Sequence, residues 1–201
     1  MTVKAILFDV GNVIIRWDPA NLYHRLIEDA ARRTRFLTEI ATMDWHMKHD
    51  AGVSFADNRR PLLEAHPDFA AEIIAYDERF EEMLGELIAP TIRNLDELSA
   101  KGVPLYALTN MPSEKAAMVF GKSHVFGYFR DIIVSGDEKL TKPDAAIYHL
   151  TLQRLGLPAE MVLFIDDSAA NIAAADALGF QTHHFTDPDD LRPRLIAEGL
   201  L

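Results

Sequence analysis

The architecture of the chain follows from one segment near its beginning, residues 3–12, which read VKAILFDVGN. The first six residues of this segment form an apolar run that is too short for a helix and apolar enough for a buried strand. Asp9 comes directly after the run, and Gly11 and Asn12 then favour a turn. The segment therefore predicts a buried strand that places a carboxylate at its carboxyl end.

Short apolar runs of the same kind recur in the second half of the chain. They lie at residues 103–108, 132–134, 161–165 and 180–185. Helical patterns separate them, and these patterns begin near Pro90, Pro143 and Ser168 and end at Gly102, Gly156 and Gly179. Strands that alternate with helices indicate a parallel sheet with right-handed crossovers, so we predict an α/β, Rossmann-like doubly wound fold.

The segment from residue 17 to residue 89 has a different pattern, because its apolar residues recur at helical spacing and none of its runs resembles a strand. Residues 76–86, with five acidic side chains, are typical of the solvated face of an amphipathic helix. We therefore expect a small all-helical cap over residues 17–89, inserted after the first strand. Residues 1–16 and 90–201 would form the catalytic core.

Composition restricts the classes of function. The chain has 201 residues, of which 49% are hydrophobic and 25% charged, as in an ordinary globular protein. It contains no cysteine, which excludes disulfides, thiolate metal sites and cysteine nucleophiles. The net charge of −11 argues against nucleic acid and anionic membranes as partners. With no signal peptide or apolar run of about 20 residues, the expected location is the cytoplasm.

Polar residues follow the predicted strands in four ordered motifs: FDVGNV at 8–13, LTN at 108–110, KPD at 142–144, and IDDS at 165–168 with Asn171. The carboxyl ends of parallel strands meet at one edge of the sheet, where ligands bind. The order of these motifs along the chain resembles that of the haloacid dehalogenase superfamily of hydrolases. The resemblance covers nearly the whole chain, and the helical insertion is similar to the first cap class of that superfamily.

The resemblance implies a role for each motif residue. Asp9 would be the nucleophile, which attacks phosphorus and forms an aspartyl-phosphate that water hydrolyses. Lys142 would hold Asp9 and a phosphoryl oxygen, while the Thr109 hydroxyl and the Asn110 amide would bind phosphate oxygens. A Mg²⁺ cofactor would be held by four protein groups: Asp9, the Gly11 carbonyl, Asp167, and Asp166 directly or through water.

One position departs from the superfamily pattern. Phosphatases of this superfamily usually carry a second aspartate two residues after the nucleophile, which protonates the leaving oxygen, and here that position is Gly11. This Asp-x-Gly-Asn variant resembles a branch that includes phosphatases of sugar phosphates such as glucose 1-phosphate. Candidates for the missing acid are Asp18, His46 and His49, although Asp18 is better interpreted as a helix cap. Side chains expected to bind the substrate are Asn12, Trp17, Trp45, His46 and His49.

The preferred interpretation is a Mg²⁺-dependent phosphatase of a small phosphorylated metabolite, with a sugar phosphate as one candidate. A 2-haloacid dehalogenase is an alternative, because halide leaves without a proton and Gly11 is then no handicap. However, the adjacent carboxylates of Asp166 and Asp167 argue against this alternative, because a 2-haloacid dehalogenase needs no metal and its substrate is itself a carboxylate. The sequence also leaves open a phosphonate hydrolase with Lys48 as its amine, and a non-catalytic binding module. The oligomeric state does not follow from the sequence.

Overall fold

A computed structural model describes residues 2–201. Its main sheet has five parallel strands in the order β5-β4-β1-β6-β7, and a separate antiparallel pair joins β2 to β3. The predicted α/β doubly wound fold is confirmed, because β1 is central and the later strands extend from it in both directions. The strands are β1 (Ala5–Phe8), β2 (Ile15–Trp17), β3 (Leu84–Leu87), β4 (Leu105–Thr109), β5 (Asp131–Val134), β6 (Val162–Asp166) and β7 (Gln181–His184).

Strand β1 is buried on both faces, as a central parallel strand requires. Ile6 and Phe8 pack into one apolar cluster, whereas Ala5 and Leu7 pack into a second cluster across the sheet. This division follows the two-residue period of a strand. Because both faces are covered, the polar side chains that follow the strand emerge only at its carboxyl end.

The helices begin and end where the capping residues indicate. Asp144 and Ser168 accept hydrogen bonds from backbone N–H groups at the starts of α9 and α10, and Gly156 ends α9 with a positive φ of 66°. The helices are α1 (Ala20–Leu26), α2 (Ala30–Arg35), α3 (Met43–Asp50), α4 (Phe55–Ala65), α5 (Ala70–Glu78), α6 (Ala89–Ala100), α7 (Ser113–Phe120), α8 (Ser135–Glu138), α9 (Ala145–Leu155), α10 (Ala169–Ala177) and α11 (Leu191–Ala197).

The all-helical expectation for residues 17–89 is wrong at the end of that segment. Helix α5 ends at Glu78, a 3₁₀ turn covers Phe80–Met83, and Leu84–Leu87 form β3, which pairs with β2. Gly85 explains the difference, because a Cβ there would lie 2.8 Å from Cβ of Arg16 on the paired strand. A helical pattern of side chains does not reveal such a close backbone approach.

Helices α1, α3, α4 and α5 share an apolar cluster of their own, which is separate from the two clusters that flank the main sheet. Tyr23, Phe36 and Tyr76 are fully buried in it. This separate cluster supports the division into a core of residues 1–16 and 90–201 and a cap of residues 17–89, which stays a prediction. Within residues 2–201, no helix is long and apolar enough to cross a membrane.

Candidate active site

The carboxyl ends of β1, β4 and β6 bring together side chains that are far apart in sequence. Asp9 follows β1, Thr109 ends β4, and Asp166 ends β6. Lys142 reaches the same place from the loop before α9. All four side chains are buried. The residues that the motifs predicted to meet at one edge of the sheet therefore do so.

Lys142 lies at the centre of this group. Its Nζ atom is 3.0 Å from Oδ1 of Asp9 and 2.7 Å from Oδ2 of Asp166, and it donates a further hydrogen bond to the carbonyl of Leu108. Burial alone would lower the pKa of Lys142, but the two carboxylates overcome this effect and raise it. The lysine is therefore a permanent buried cation between two carboxylates.

Two asparagines hold this arrangement in place. Asn110 exchanges hydrogen bonds of 2.9 Å with the backbone N–H and carbonyl of Lys142. Asn171 donates to both oxygens of Asp166, and the backbone N–H of Ser168 donates to Oδ1 of the same carboxylate. Because both oxygens of Asp166 already have donors, its contacts are those of a positioning residue for Lys142.

Three carboxylates form a group that is suited to a divalent cation. One oxygen each from Asp9, Asp166 and Asp167 lie within 4.8 Å of one another. Burial raises the pKa of Asp9 to about 7 against the lowering effect of Lys142, and the two neighbouring carboxylates raise it further. Burial and Asp166 also raise the pKa of Asp167. Lys142 alone therefore does not balance the negative charge, and hard carboxylate oxygens are the ligands that Mg²⁺ prefers.

The family of the chain follows from a match of its sequence to the haloacid dehalogenase-like hydrolases over residues 3–179. The chain belongs to this family. The matched region contains every motif that carried the resemblance, from FDVGNV at 8–13 to IDDS at 165–168. As a haloacid dehalogenase-like hydrolase, the chain is an enzyme.

Curated relatives of this hydrolase include phosphatases. It is 28% identical over 189 residues to the sesquiterpene phosphatase astK of Aspergillus oryzae, an alignment that covers 92% of this chain and 91% of the relative. It is 35% identical over 96 residues to the phosphoglycolate phosphatase of Yersinia pseudotuberculosis. That second match spans 47% of this chain and less than half of the relative, 41%.

A solved structure shares the fold. The magnesium complex of the haloacid dehalogenase family enzyme BT-2542 from Bacteroides thetaiotaomicron superposes with a TM-score of 0.71 at 20% identity. The match covers 91% of this chain and 93% of the other. At this identity the similarity shows the fold alone, and it agrees with the observed parallel sheet.

The hydrolase has an open cavity of about 110 Å³ between the sheet edge and the cap, which we call the cap cavity. Gly11, Thr109 and Asn110 line it on the core side, and Trp17 and His46 line it on the cap side. The Trp17 and His46 rings stack with their centroids 4.7 Å apart. Two of the side chains expected to bind substrate are therefore at the cavity.

The remaining side chains expected to bind substrate have different surroundings. Trp45 Nε1 donates to the Asn58 carbonyl, and the two nitrogens of His49 contact the Val53 carbonyl and the Asn58 amide. Both rings pack inside the cap, so the substrate-binding expectation does not extend to them. Asn12 accepts a hydrogen bond from the backbone N–H of Trp17 and also bonds to Asp167.

The candidates for the missing acid also differ in whether they line the cap cavity. Asp18 accepts from the backbone N–H of Ala20 at 2.8 Å, which is the helix-cap role that the sequence favoured. Lys48 is exposed. The sequence did not single out Asp50 for this role, although Asp50 is buried and lines the cap cavity. The sequence shows that Asp50 lies four residues after His46, but it does not show that both side chains are buried.

Proposed function

We propose that the chain is a Mg²⁺-dependent phosphatase that hydrolyses the monophosphate of a small, largely apolar alcohol. The observation that carries the proposal is the buried contact of Lys142 with Asp9 and Asp166 at the carboxyl ends of β1 and β6. A binding module has no evident need for a nucleophilic carboxylate fixed against a buried cation.

The reaction starts from the Asp9 carboxylate. One of its oxygens attacks phosphorus in line, the P–O bond to the alcohol breaks, and the phosphoryl group is then covalently attached to Asp9. Water hydrolyses this aspartyl-phosphate and regenerates the carboxylate. The hydrogen bond from the Val10 N–H and the contact with Lys142 both involve Oδ1 of Asp9, so they limit rotation of the carboxylate.

Neighbouring groups stabilise the transferring phosphoryl group. Lys142 supplies a fixed positive charge, while the Thr109 hydroxyl and the Asn110 backbone N–H, both at the cap cavity, are the donors for phosphate oxygens. Mg²⁺ would be held by Asp9, Asp167 and the Gly11 carbonyl, with Asp166 contributing directly or through water. When bound, it supplies charge that offsets the repulsion between carboxylates and phosphate.

The lining of the cap cavity supports an apolar alcohol as the leaving group. Met43, which is 51% exposed, provides an apolar surface at the cavity. The similarity to a sesquiterpene phosphatase along nearly the whole chain points to the same class of substrate. Apolar side chains make up most of the lining: Val10, Ile15, Trp17, Met43, Phe80, Leu84, Met111, Pro112 and Val119.

The first test measures hydrolysis of 4-nitrophenyl phosphate by the purified protein, with Mg²⁺ and with excess chelator. We expect turnover that requires Mg²⁺ and is abolished by Asp9→Asn, with circular dichroism showing that the variant is folded. The matched control is Asp176→Asn, an exposed carboxylate on α10. Phosphate release by Asp9→Asn protein would overturn the proposal, and chelator-resistant chloride release from a 2-chloroacid would favour the dehalogenase alternative.

The second test compares kcat/KM for decyl phosphate, a sesquiterpenyl phosphate and glucose 1-phosphate. Because apolar surface gains about 25 cal/mol for each Å² removed from water, we expect the two apolar esters to exceed the sugar ester by at least about tenfold. Trp17→Ala should reduce this preference, since Trp17 lines the cap cavity. Equal values for all three esters would contradict the apolar substrate and leave the phosphatase activity standing.

A further inference from the structure

The structure has an open position where phosphatases of this family usually carry their acid. A Cβ built on Gly11 has no atom within 4 Å apart from its chain neighbours, so no side chain of the core fills that space. An alkoxide that leaves phosphorus needs a proton, and a positioned acid contributes about 10²–10⁴-fold to such a step. Another group facing the same space must supply this proton for an alkyl ester to be a good substrate.

Asp50 faces this space from the cap. It ends helix α3 and lines the cap cavity together with Gly11, Thr109 and Asn110. Its exposed fraction is 5%, so the carboxyl group is almost entirely removed from water. The positive charge of Lys142 also reaches Asp50, where it acts to lower the pKa of the carboxyl group.

One oxygen of the Asp50 carboxyl group lacks a hydrogen-bond partner. This Oδ1 atom is buried and accepts no hydrogen bond from residues 2–201, and it lies 3.5 Å from Nε2 of His46. Nδ1 of His46 and Nε1 of Trp17 are also buried without partners in the described chain. Since an unsatisfied buried polar group is costly, three such groups around one cavity indicate that a polar part of a ligand completes them.

The backbone of Asp50 is fixed to the catalytic core. Its carbonyl accepts a hydrogen bond of 2.7 Å from Oγ of Ser135, and the same Oγ accepts one of 2.9 Å from the backbone N–H of Met111. Met111 directly follows Asn110, one of the proposed phosphate-binding residues. The position of Asp50 is thus set relative to the phosphate site through a single serine.

We propose that Asp50 donates the proton to the leaving oxygen in place of the carboxyl group that is missing at position 11. This inference rests on the phosphatase proposed above. As the P–O bond to the alcohol breaks, the Asp50 carboxyl group gives its proton to that oxygen and becomes a carboxylate. In the second step, the carboxylate takes a proton from the water that attacks the aspartyl-phosphate, phosphate leaves Asp9, and both side chains return to their starting states.

The electrostatic surroundings are consistent with this role. Burial raises the pKa of Asp50 to about 7, against the lowering effect of Lys142. Burial and His49 lower the pKa of His46 to about 3, so His46 is neutral and leaves the proton on Asp50. Tyr76, packed against His46, remains protonated because burial and Asp50 raise its pKa. An acid with a pKa near 7 can both give and take a proton at neutral pH.

The experiment compares Asp50→Asn with the wild-type protein on two esters in the presence of Mg²⁺. For decyl phosphate, whose alkoxide needs a proton, we expect kcat/KM, which reports transfer to Asp9 and not the later hydrolysis of the aspartyl-phosphate, to fall by about 10²–10⁴-fold. For 4-nitrophenyl phosphate, whose phenolate leaves without one, we expect kcat/KM to change by less than about threefold, while kcat falls for both esters where hydrolysis of the aspartyl-phosphate limits it. The control is Asp44→Asn, an exposed carboxylate on the same helix, for which both rates should equal those of the wild type.

A second variant tests whether a carboxyl group is what the cavity needs. Gly11→Asp in the Asp50→Asn background places one at the usual position, where the structure has room for it, and should restore at least about tenfold of the lost rate on decyl phosphate. Failure of this rescue, or equal losses of kcat/KM on both esters, would overturn the proton-donor role of Asp50. The phosphatase proposal would stand if Asp9→Asn remained inactive.

A measurement on the wild-type protein keeps the inference testable if Asp50→Asn does not fold. Values of kcat/KM for a series of alkyl and aryl phosphates report how strongly the transfer to Asp9 depends on the leaving group. Weak dependence is expected if Asp50 protonates the leaving oxygen. A steep dependence, with alkyl esters at least about 10²-fold slower than aryl esters, would show that no acid acts and would overturn the proposal.

Discussion

Lys142 is a single cation held between two carboxylates in the interior of the protein. Removing one partner of a buried charge network leaves the others uncompensated, which typically costs about 3–5 kcal/mol. We therefore expect Lys142→Met to lower the free energy of unfolding by roughly that amount, as measured by urea denaturation with chelator at pH 8. The physical cause would be the unpaired Asp166, which has no exposed surface.

The control for this variant is Lys122→Met. Lys122 pairs with Glu81 at the protein surface, where ion pairs contribute about 0–1 kcal/mol. If Lys142→Met were no more destabilising than Lys122→Met, the carboxylates would not depend on Lys142, and its contacts would have little energetic importance. A double variant, Lys142→Met with Asp166→Asn, should lose less than the sum of the two single changes, because the asparagine carries no charge to be left unpaired.

Asp50 and His46 affect stability in opposite directions as the pH changes. Folding raises the pKa of Asp50 to about 7, so between about pH 4 and pH 7 the native state holds a proton that the unfolded chain releases, and stability falls as the pH rises. Folding lowers the pKa of His46 to about 3, so its contribution to stability rises with pH between about pH 3 and pH 6.5.

The variant Asp50→Asn separates these two contributions, because it retains His46. Each pKa unit corresponds to about 1.4 kcal/mol, so the difference in unfolding free energy, variant minus wild type, should be about 2.5 kcal/mol more favourable at pH 8 than at pH 5. Urea denaturation at both pH values, in the presence of chelator, measures this difference. The same value at both pH values would show that burial does not raise the pKa of Asp50.

At the scale of elements, Gly52 lets the cap approach the core, and Gly136 lets two segments of the core approach each other. A Cβ on Gly136 would lie 2.6 Å from the Ser113 backbone nitrogen, and one on Gly52 would lie 2.7 Å from the Gly136 carbonyl oxygen. We expect Gly136→Ala to displace the loop that carries Asn110, with a loss of about 1–3 kcal/mol in stability and at least about tenfold in kcat/KM. Urea denaturation and steady-state kinetics provide the two measurements.

Gly127→Ala is the matched control, since a Cβ there meets nothing within 4 Å and its φ is not positive. It should leave kcat/KM unchanged and alter stability by less than about 1 kcal/mol. If Gly136→Ala behaved in the same way, the segments around Gly136 and Ser113 would tolerate a wider spacing than the structure implies. The position of Asp50 would then not depend on that close contact.

The elements also show what the sequence can predict. Strands β1, β4 and β6 are recognisable because they are buried on both faces and read as apolar runs. The motif residues follow because parallel strands end at one edge. Strand β3 was missed since its burial is partial and its pairing with β2 depends on a backbone approach at Gly85. Asp50 was missed as an acid because its burial depends on how α3 packs against the segment that contains Ser135.

The whole molecule has a net charge of −11, yet the proposed substrate is an anion. Long-range attraction therefore does not bring the substrate to the site, and favourable charge must be local. Lys142 supplies one positive charge, but it is shared between Asp9 and Asp166. A divalent cation at Asp9, Asp166 and Asp167 would make this edge of the sheet attractive to phosphate. The apolar cap cavity would supply the remaining binding energy through burial of the alcohol.

The charge balance of the whole molecule predicts that Mg²⁺ stabilises the folded protein without any substrate. A ligand that binds only the native state adds about 2.7 kcal/mol at a concentration of 100 times its Kd, which raises the Tm of a chain of this size by roughly 5–10 °C. We expect a thermal shift of this size for the wild type, and its loss in Asp167→Asn, whose carboxylate is the most accessible of the three. Asp176→Asn should keep the full shift, because it removes an exposed carboxylate that is not part of the group formed by Asp9, Asp166 and Asp167. A shift that persisted in Asp167→Asn and disappeared in Asp176→Asn would place the ion elsewhere on the acidic surface.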